Sequence, residues 1–538
     1  MRRWNGWGDD ATSMALDGRA RTMLSARLGP GLPGQDAALQ DMQARVPASR
    51  LPAHTLIRTD AATRFAMAMG ESFGDWLRKR FGALPPVPDG VAYPESNQQV
   101  RILLDLAQQH NWIVIPYAGG TSVSGHLDCP ISERPILSVN LGRMNRLLHL
   151  DKLSQLATFG AGTPGPLVEA QLRAQGYTLG HFPQSFEYST VGGWVVTRSS
   201  GQQSLRYGRI EQLFAGGRME TPLGTLTLPT FPAASAGPDL RELVLGSEGR
   251  FGILTEATVR VSPQPAHESF HALFFPHWEA AETAVRTLVQ HKLPLSMLRL
   301  SNAIETETNL SLAGHARLIS ALERYLSWRG CAAGKTMLML GVTADTRTAR
   351  FALREARRVL APHGAVYIGR AMGDKWSANR FRGPYLRNTL WELGYSVDTM
   401  ETAVDWPQVS RLMPAMEQAA RDVFAQYGER VHAFTHLSHL YPQGSSIYSQ
   451  FVWANAAGGF GPNFERWQRL KAAVSATIAA HGGTVSHQHG VGRDQATHLP
   501  EEKGPLGMAT LAALCHHFDP QKIMNPGKLL QDEGPWAT

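Results

Sequence analysis

A short apolar run with strand character, Trp112 to Ile115, breaks at Pro116 into Gly119, Gly120, Thr121 and Ser122, and no other stretch of the chain restricts its fold so tightly. Residues without a Cβ let the backbone curl closely round a ligand. A strand that opens into such a curl presents successive backbone N–H groups, here beside two hydroxyls, to an anion. Pyrophosphate is the anion that fits. Short glycine motifs also occur as ordinary turns, so the reading depends on whether the rest of the chain carries stretches of matching kind.

Three such stretches lie downstream. "LATFGAGTPGPLVEAQLRAQGY" reads as a strand, a second glycine turn and a helix ended by Gly176,. Residues 181–201, "HFPQSFEYSTVGGWVVTRSSG", carry hydroxyls at Ser185, Ser189, Thr190, Thr197, Ser199 and Ser200, glycines at 192 and 193, and almost no charge. So many short donors with so little charge suit a buried backbone lying along a polar ligand such as an isoalloxazine and its ribityl chain. "LVLGSEGRFGILTEATVRVSP" then sets Gly246, Gly249 and Gly252 before a strand in which Thr255, Ala257, Val259 and Val261 alternate,.

At 538 residues the chain is too long for one core,. Four segments are expected: a helical extension over 1–84, a first α/β region over 85–263, a second over 264–485, and a returning segment over 486–538. In the first, Trp4 and Trp7 bracket a glycine and read as packing anchors. In the second, Ser96 with Gln99 makes a capping box, and Val100, Leu103, Leu104 and Ala107 fall on one helix face,. A hydrophobic fraction of 43% with 18% charged residues describes a globular chain,. The net charge of +7 is spread without a long basic run, which argues against dedicated nucleic-acid binding and suits anionic small molecules,. The three cysteines offer no CxxC pair, which fits a reducing compartment. No 18-residue apolar span is present,. A cytoplasmic protein is expected, and peripheral contact with the inner face of a membrane stays open.

Past Pro263 the pattern becomes "ESFHALFF", a helix over Trp278 to His291, then "LSMLRLS", and it recurs as "KTMLMLGV", a helix over Thr346 to Ala361, then "AVYIG". Two strand-helix-strand units predict a sheet with helices on one face. Arg299 is the only charge in "LPLSMLRLS", and Arg387 sits in "GPYLRNTLWELGYSVDTMET". Each is either paired structurally or, through its planar fork, a ligand for phosphate or carboxylate. His432 and His436 share a strand face, with His439 beyond, but no acidic ligand at a recognisable spacing accompanies them, so no metal site is expected,. Phe464, Trp467, Leu470, Val474 and Ile478 form a core stripe on a helix. After Gly482 and Gly483, alternation in "TVSHQHGVGRD" predicts an extended strand with His487 and His489 on one side and Gln488 on the other,. Two imidazoles beside a glycine turn are poor core material and read as a site.

The ordered set "PYAGGTSVSG", "PQSFEYSTVGGWVVTRSSG", "GSEGRFGILTEATV" and "NPGKLL" resembles FAD-binding flavoproteins of vanillyl-alcohol oxidase type. Within that group "RWNGWGD", "STVGG" and "SHQHGVG" resemble the alkylglycerone-phosphate synthase family, which makes ether lipids. The resemblance implies an α+β fold, with a two-subdomain FAD-binding domain and an α/β cap built of strand-helix-strand repeats. It implies FAD held by Pro116, Tyr117, Ala118, Gly119, Gly120, Thr121 and Ser122, by Gln184, Ser185, Ser189, Thr190, Val196, Thr197, Arg198 and Ser199, and by Glu248, Gly249, Arg250, Phe251, Gly252, Ile253 and Leu254. Relatives with covalent flavin carry a histidine within the first turn where this chain has Thr121 and Ser122, so the FAD is expected to be noncovalent and His126 an ordinary neighbour.

The implied reaction exchanges the acyl group of acyl-dihydroxyacetone phosphate for a long-chain alkoxy group without net oxidation, the flavin serving as electron sink. Arg387 would hold the phosphate, Tyr448 and His489 would move protons, His487 would belong to the same catalytic set, and Arg299 would organise the site. Gln488, where the family typically shows a histidine, is a departure that leaves the exact reaction open. A second reading, an FAD-dependent dehydrogenase of a 2-hydroxy acid or of glycerol phosphate, shares the same frame, with His487 or His489 as base. A flavin-binding structural protein is a third. The partner is expected to be a small lipid phosphate, with no nucleic acid and no metal; a homodimer stays open.

Overall fold

The computed structural model describes residues 1–314 and 316–531. The strand Ile113–Tyr117 lies at the edge of a four-stranded sheet, parallel to Ile136–Asn140, which in turn lies parallel to Gly90–Ala92. The helix Asn97–Gln109 feeds this edge strand. Ser96 accepts from Gln99 N at its start, and Val100, Leu103, Leu104 and Ala107 are completely buried, each contributing roughly 1.5–3 kcal/mol for a large side chain and less for alanine. The open edge of Ile113–Tyr117 is closed from far along the chain. Val114 N donates to Ile523 O at 2.7 Å, and Asn525 N donates to Val114 O at 2.9 Å. Beside it stands an antiparallel five-stranded sheet in which Ile253–Arg260 is central, flanked by Leu156–Gly160 and Phe214–Thr221.

The second region is an antiparallel seven-stranded sheet. Its order is Val366–Gly369, His267–Phe275, Thr336–Ala344, Met297–Ser301, Val431–Leu437, Gly444–Ala454 and Tyr395–Asp405. The two expected strand-helix-strand units are present and interleaved, so that Thr336–Ala344 runs between the two strands of the first unit. A further unit, Tyr395–Asp405 with the helix Trp406–Ala425 and the strands Val431–Leu437 and Gly444–Ala454, extends the same sheet.

The expectation of helices on one face needs correction. The helices Trp278–Gln290, Thr346–Leu360, Trp406–Ala425 and Phe460–Ala480 pack one face through residues such as Leu288, Leu360, Leu412 and Leu470. The other face is also covered, by Leu310, Ile319, Leu326 and Trp376 from helices inserted between the strands. A sheet whose both faces are apolar must be covered twice, and every residue of Thr336–Ala344 is indeed buried. The helix Gly18–Leu28 joins this second face, with Ala20, Leu24 and Leu28 against Tyr395, Phe434 and Val452. Residues 1–84 are thus shared between the two regions: the helix Gly18–Leu28 and Phe73, Trp76 and Leu77 pack on the second, while Ile57–Arg58 pairs with Gly90–Ala92 and adds a strand to the first. The helix Phe73–Phe81 is buried on every side, with Trp76 and Trp391 edge to face.

Candidate active site

At the first glycine turn the structure passes a direct test of fit to a bound anion. Among the described residues, no acceptor is found for the N–H groups of Gly119, Gly120, Thr121 and Ser122. Gly120 holds φ at +66°, a left-handed value that favours glycine,. A Cβ at Gly119 would stand 2.2 Å from Tyr188 O and one at Gly120 2.1 Å from the Tyr117 hydroxyl. Four consecutive open donors, the first two with no room for a side chain behind them, form an anion-binding concavity of the kind that cradles a pyrophosphate,.

The other two stretches close round it. Thr190 caps the short helix Val191–Val196 by accepting from Gly193 N, and Ser189 Oγ accepts from Trp194 Nε1 at 2.7 Å. Thr197 Oγ1 donates to Gly193 O, and Val196 O accepts from Glu248 N. Three expected contacts are turned elsewhere by their side chains. Gln184 Nε2 donates to Arg380 O, Arg198 Nη2 pairs with the exposed Glu242, and Ser199 Oγ lies 3.1 Å from the buried His181 Nε2. Glu248 is the knot of the third stretch. Its carboxylate accepts from Val491 N and Gly492 N, and its carbonyl accepts from Asn525 Nδ2. His126 bridges Ser122 Oγ at 2.6 Å to Glu248 at 3.2 Å, so it stitches the first turn to the third. Gly249 approaches Pro116, while Arg250 Nη1 donates to Met524 O and Asn525 O. Phe251 stacks on Phe518, Gly252 clears the Glu220 carbonyl, and Ile253 and Leu254 open the central strand. The Asn525 Oδ1 and Ser247 Oγ atoms are buried without a protein partner.

The predicted strand through His487 and His489 is not formed. Residues 484–490 turn round the carboxylate of Glu401, which is 4% exposed and accepts from Ser486 Oγ and from the backbone N–H groups of His487, Gln488 and His489 at 2.9–3.2 Å. Consecutive N–H groups converging on one anion override the extended alternation, and the two imidazoles therefore part. His487 Nε2 lies 2.5 Å from Arg209 Nη1 and 2.7 Å from the Tyr441 hydroxyl. Because guanidinium only donates, that nitrogen keeps its lone pair there and Nδ1 carries the proton, 3.6 Å from Glu401. Burial and the Arg209 charge push its pKa well below the ordinary histidine value. His489 instead meets Tyr448 edge to face, with ring centroids 5.9 Å apart. Burial also lowers the His489 pKa, against the opposing charge of Glu401, and burial pushes the Tyr448 hydroxyl up to about 12. A neutral imidazole and a protonated phenol stand side by side.

Behind Tyr448 runs a buried charged chain. The Tyr448 ring stacks on His436 at 5.0 Å, His436 Nδ1 lies 3.0 Å from Glu305, and Glu305 accepts from Arg299 Nη2 at 2.7 Å. Burial opposes ionisation of Glu305, yet His436 and Arg299 carry its carboxyl down to about 2. His432 lies elsewhere, between Arg27 and Thr308, and His439 stands against Ser200 and Ser204. Arg387 sits on the helix Leu386–Glu392 with its guanidinium 4.4 Å from the Trp76 ring. Nη1 donates to Glu71 O at 2.9 Å, while Nε and Nη2 are buried without partners. A small polar cavity at the histidine turn is lined by Ser124, Asp398, Glu401, Lys471 and His489, and Asp398 acts electrostatically on Arg387, Tyr448 and His489 alike. Sequence reasoning missed Glu305, Glu401, Arg209, Tyr441 and Lys471. Each lies on an ordinary helix or strand or in a loop, and only the fold brings it to the histidines.

Comparison with known proteins matches residues 88–228 to an FAD binding domain and 264–529 to the C-terminal domain of FAD linked oxidases. The alkyldihydroxyacetonephosphate synthase of Trypanosoma brucei brucei is 30% identical over 499 residues, covering 90% of this chain and 80% of its own. That of Dictyostelium discoideum is 30% identical over 481 residues, covering 88% and 78%. A glycolate oxidase subunit of Bacillus subtilis is 25% identical, covering 82% and 89%. Among solved structures, an alkyldihydroxyacetonephosphate synthase superposes with a TM-score of 0.84 at 27% identity, covering 98% of each chain. The fold alone extends to p-cresol methylhydroxylase, with a TM-score of 0.65 at 13% identity over 95% of this chain and 96% of that one.

Proposed function

Because the chain belongs to the alkyldihydroxyacetonephosphate synthase family of FAD-binding proteins, we propose that it exchanges the acyl group of an acyl-dihydroxyacetone phosphate for a long-chain alkoxy group without net oxidation. FAD is the cofactor, and when bound it supplies an electron sink beside the substrate ketone. Gly119 to Ser122 would hold its pyrophosphate on their open N–H groups, with Thr190, Thr197 and the 248–254 stretch closing the site.

One observation carries the assignment of a phosphate-bearing substrate. Arg387 keeps two adjacent guanidinium donors, Nε and Nη2, unpaired in a buried position, and an arginine so placed matches the two-oxygen edge of a phosphate. Around that anchor His489 accepts a proton, Tyr448 holds one at its hydroxyl, and the Arg299–Glu305–His436 chain fixes the Tyr448 ring. His487, committed to Arg209 and Tyr441, holds the turn in place and leaves proton transfer to His489. Covalent attachment of the flavin is not expected. Acid precipitation should leave it in the supernatant, and yellow protein in the pellet would refute this.

The deciding experiment mixes the purified protein anaerobically with acyl-dihydroxyacetone phosphate and an isotope-labelled long-chain alcohol while the visible flavin spectrum is followed. Label entering the glycerone ether, with no net bleaching, is the expected result. Bleaching by a 2-hydroxy acid or glycerol phosphate, without exchange, would overturn the reading in favour of a dehydrogenase. No helix among the described residues is long and apolar enough to cross a membrane. Since both substrates would carry long apolar chains, peripheral contact with a bilayer is part of the proposal, and failure to sediment with lipid vesicles would remove it.

A further inference from the structure

The opening residues form a tight hairpin that neither packing nor the proposed chemistry fully explains. Arg3 N donates to Gly8 O at 2.8 Å, and Arg2 bridges Asp9 in antiparallel fashion. From this hairpin the Arg2 side chain reaches the cofactor turn. Nη1 donates to Gly119 O at 2.8 Å and Nη2 to Gly120 O at 3.3 Å, with the guanidinium 5.1 Å from the Tyr188 ring. Those two carbonyls belong to the peptide groups whose other ends are the N–H of Gly120 and of Thr121, both open donors. A cation on the oxygen end of a peptide strengthens the N–H end as a donor, and a two-point contact fixes the plane of both peptides.

The rest of the hairpin is fitted to the helix that carries Arg387. Asn388 accepts from Trp7 N at 3.0 Å and donates to Trp7 O at 2.9 Å, so the main chain of Trp7 is held at both of its polar groups. The Tyr385 hydroxyl donates to Asp9 at 3.2 Å. Gly8 holds φ at +82°, and a Cβ there would stand 2.1 Å from the Tyr385 ring; one at Gly6 would stand 2.4 Å from Asn388 Oδ1. Trp7 completes the join by meeting Tyr188 edge to face at 5.8 Å.

We propose that the Arg2–Asp9 hairpin is a clasp on the cofactor turn: Arg2 positions the two peptides whose N–H groups are open to the FAD pyrophosphate, and Trp7 and Asp9 tie that grip to the Arg387 helix. The clasp depends on FAD binding at this turn and not on the identity of the substrate, so its test reads flavin release and not turnover. Full-length holoenzyme is diluted, and the rise in free-flavin fluorescence gives the release rate. Loss of two hydrogen bonds, one exposed and one partly buried, and of one charge should make Arg2→Gln release FAD about five- to tenfold faster, as roughly 1 kcal/mol of net contact implies,. Arg2→Lys should fall between, because charge returns without the fork. Asn388→Ala, which frees the hairpin from the helix while leaving Arg2 intact, should also speed release. Asn5→Ala, whose amide among the described residues donates to Asp36 alone, should match the unmodified protein. Arg2 is exposed, so folding survives its replacement. Release within twofold of the unmodified rate in Arg2→Gln overturns the clasp, as does a rate in Asn5→Ala as fast as in Arg2→Gln. A protein that holds no FAD at all would instead defeat the cofactor assignment.

Discussion

Replacing Glu401 by alanine should dismantle the histidine turn while leaving the two sheets intact. The buried carboxylate accepts from Ser486 Oγ and from the N–H groups of His487, Gln488 and His489, all within 3.2 Å. Hydrogen bonds to a charged acceptor contribute about 1.5–3 kcal/mol each. They do not add fully, because the adjoining polar cavity can admit water to the orphaned donors. A local loss of roughly 3–5 kcal/mol is therefore expected, as for removal of one partner from a buried charged network. At about 1.4 kcal/mol per tenfold, the amides of residues 487–489 should exchange with deuterium roughly two to three and a half orders of magnitude faster, up to the limit for unprotected amides. Hydrogen-exchange mass spectrometry of peptides spanning 484–492 reads this directly, with Ile253–Arg260 as the internal reference. Glu401→Gln keeps one acceptor oxygen but turns an amide NH2 toward the same donors, so its loss should be intermediate. Protection of 487–489 within twofold of the unmodified protein in Glu401→Ala would refute the claim that this carboxylate holds the turn.

Tyr448→Phe removes one hydroxyl and almost no volume, and it should lower kcat by about a hundredfold or more, as loss of a proton-transfer group typically does. His489→Ala should lose a similar factor, and the double variant should be little worse than either; strictly multiplicative losses would show that the two residues act separately. Arg387→Lys keeps the charge and gives up the fork, so KM for the phosphate substrate should rise with flavin content and melting temperature unchanged; a fall in stability at constant KM would make Arg387 a fold residue. Acid should unfold the protein through its buried imidazoles. His181, His432 and His439 are each pushed down to about 3, mainly by burial. Between the ordinary value near 6.5 and pH 3 the unfolded chain therefore binds protons that the folded one refuses, and stability falls with falling pH by up to about 1.4 kcal/mol per unit for each histidine. Urea midpoints that stay level from pH 6.5 to pH 5 would contradict this.

Local chemistry is legible where the partners lie close in sequence. The turn at Gly119 and Gly120 and the face of the helix Asn97–Gln109 follow from neighbours a few residues apart, and the structure forms both as read. The histidine turn escapes such a reading because its organiser, Glu401, lies 86 residues before His487. A few residues of alternating texture carry no trace of so distant an acceptor. The same limit hides Glu305, which meets His436 across 131 residues. It hides as well the second helical layer of the large sheet, where the apolar strand Thr336–Ala344 signals burial but not what provides it.

The pairing of Val114 with residues 523–525 has a consequence for how the protein comes into being. The strand that launches the cofactor turn is finished by a segment 410 residues later in the chain (524 − 114). At about 5–20 residues per second on a ribosome, roughly 20–80 s separate the synthesis of the two. Through that interval the apolar edge at Ile113 to Ile115 has no mate, a template for wrong pairing with other chains. A nascent chain stalled before residue 523 would accordingly present the glycine turn on an unfinished sheet.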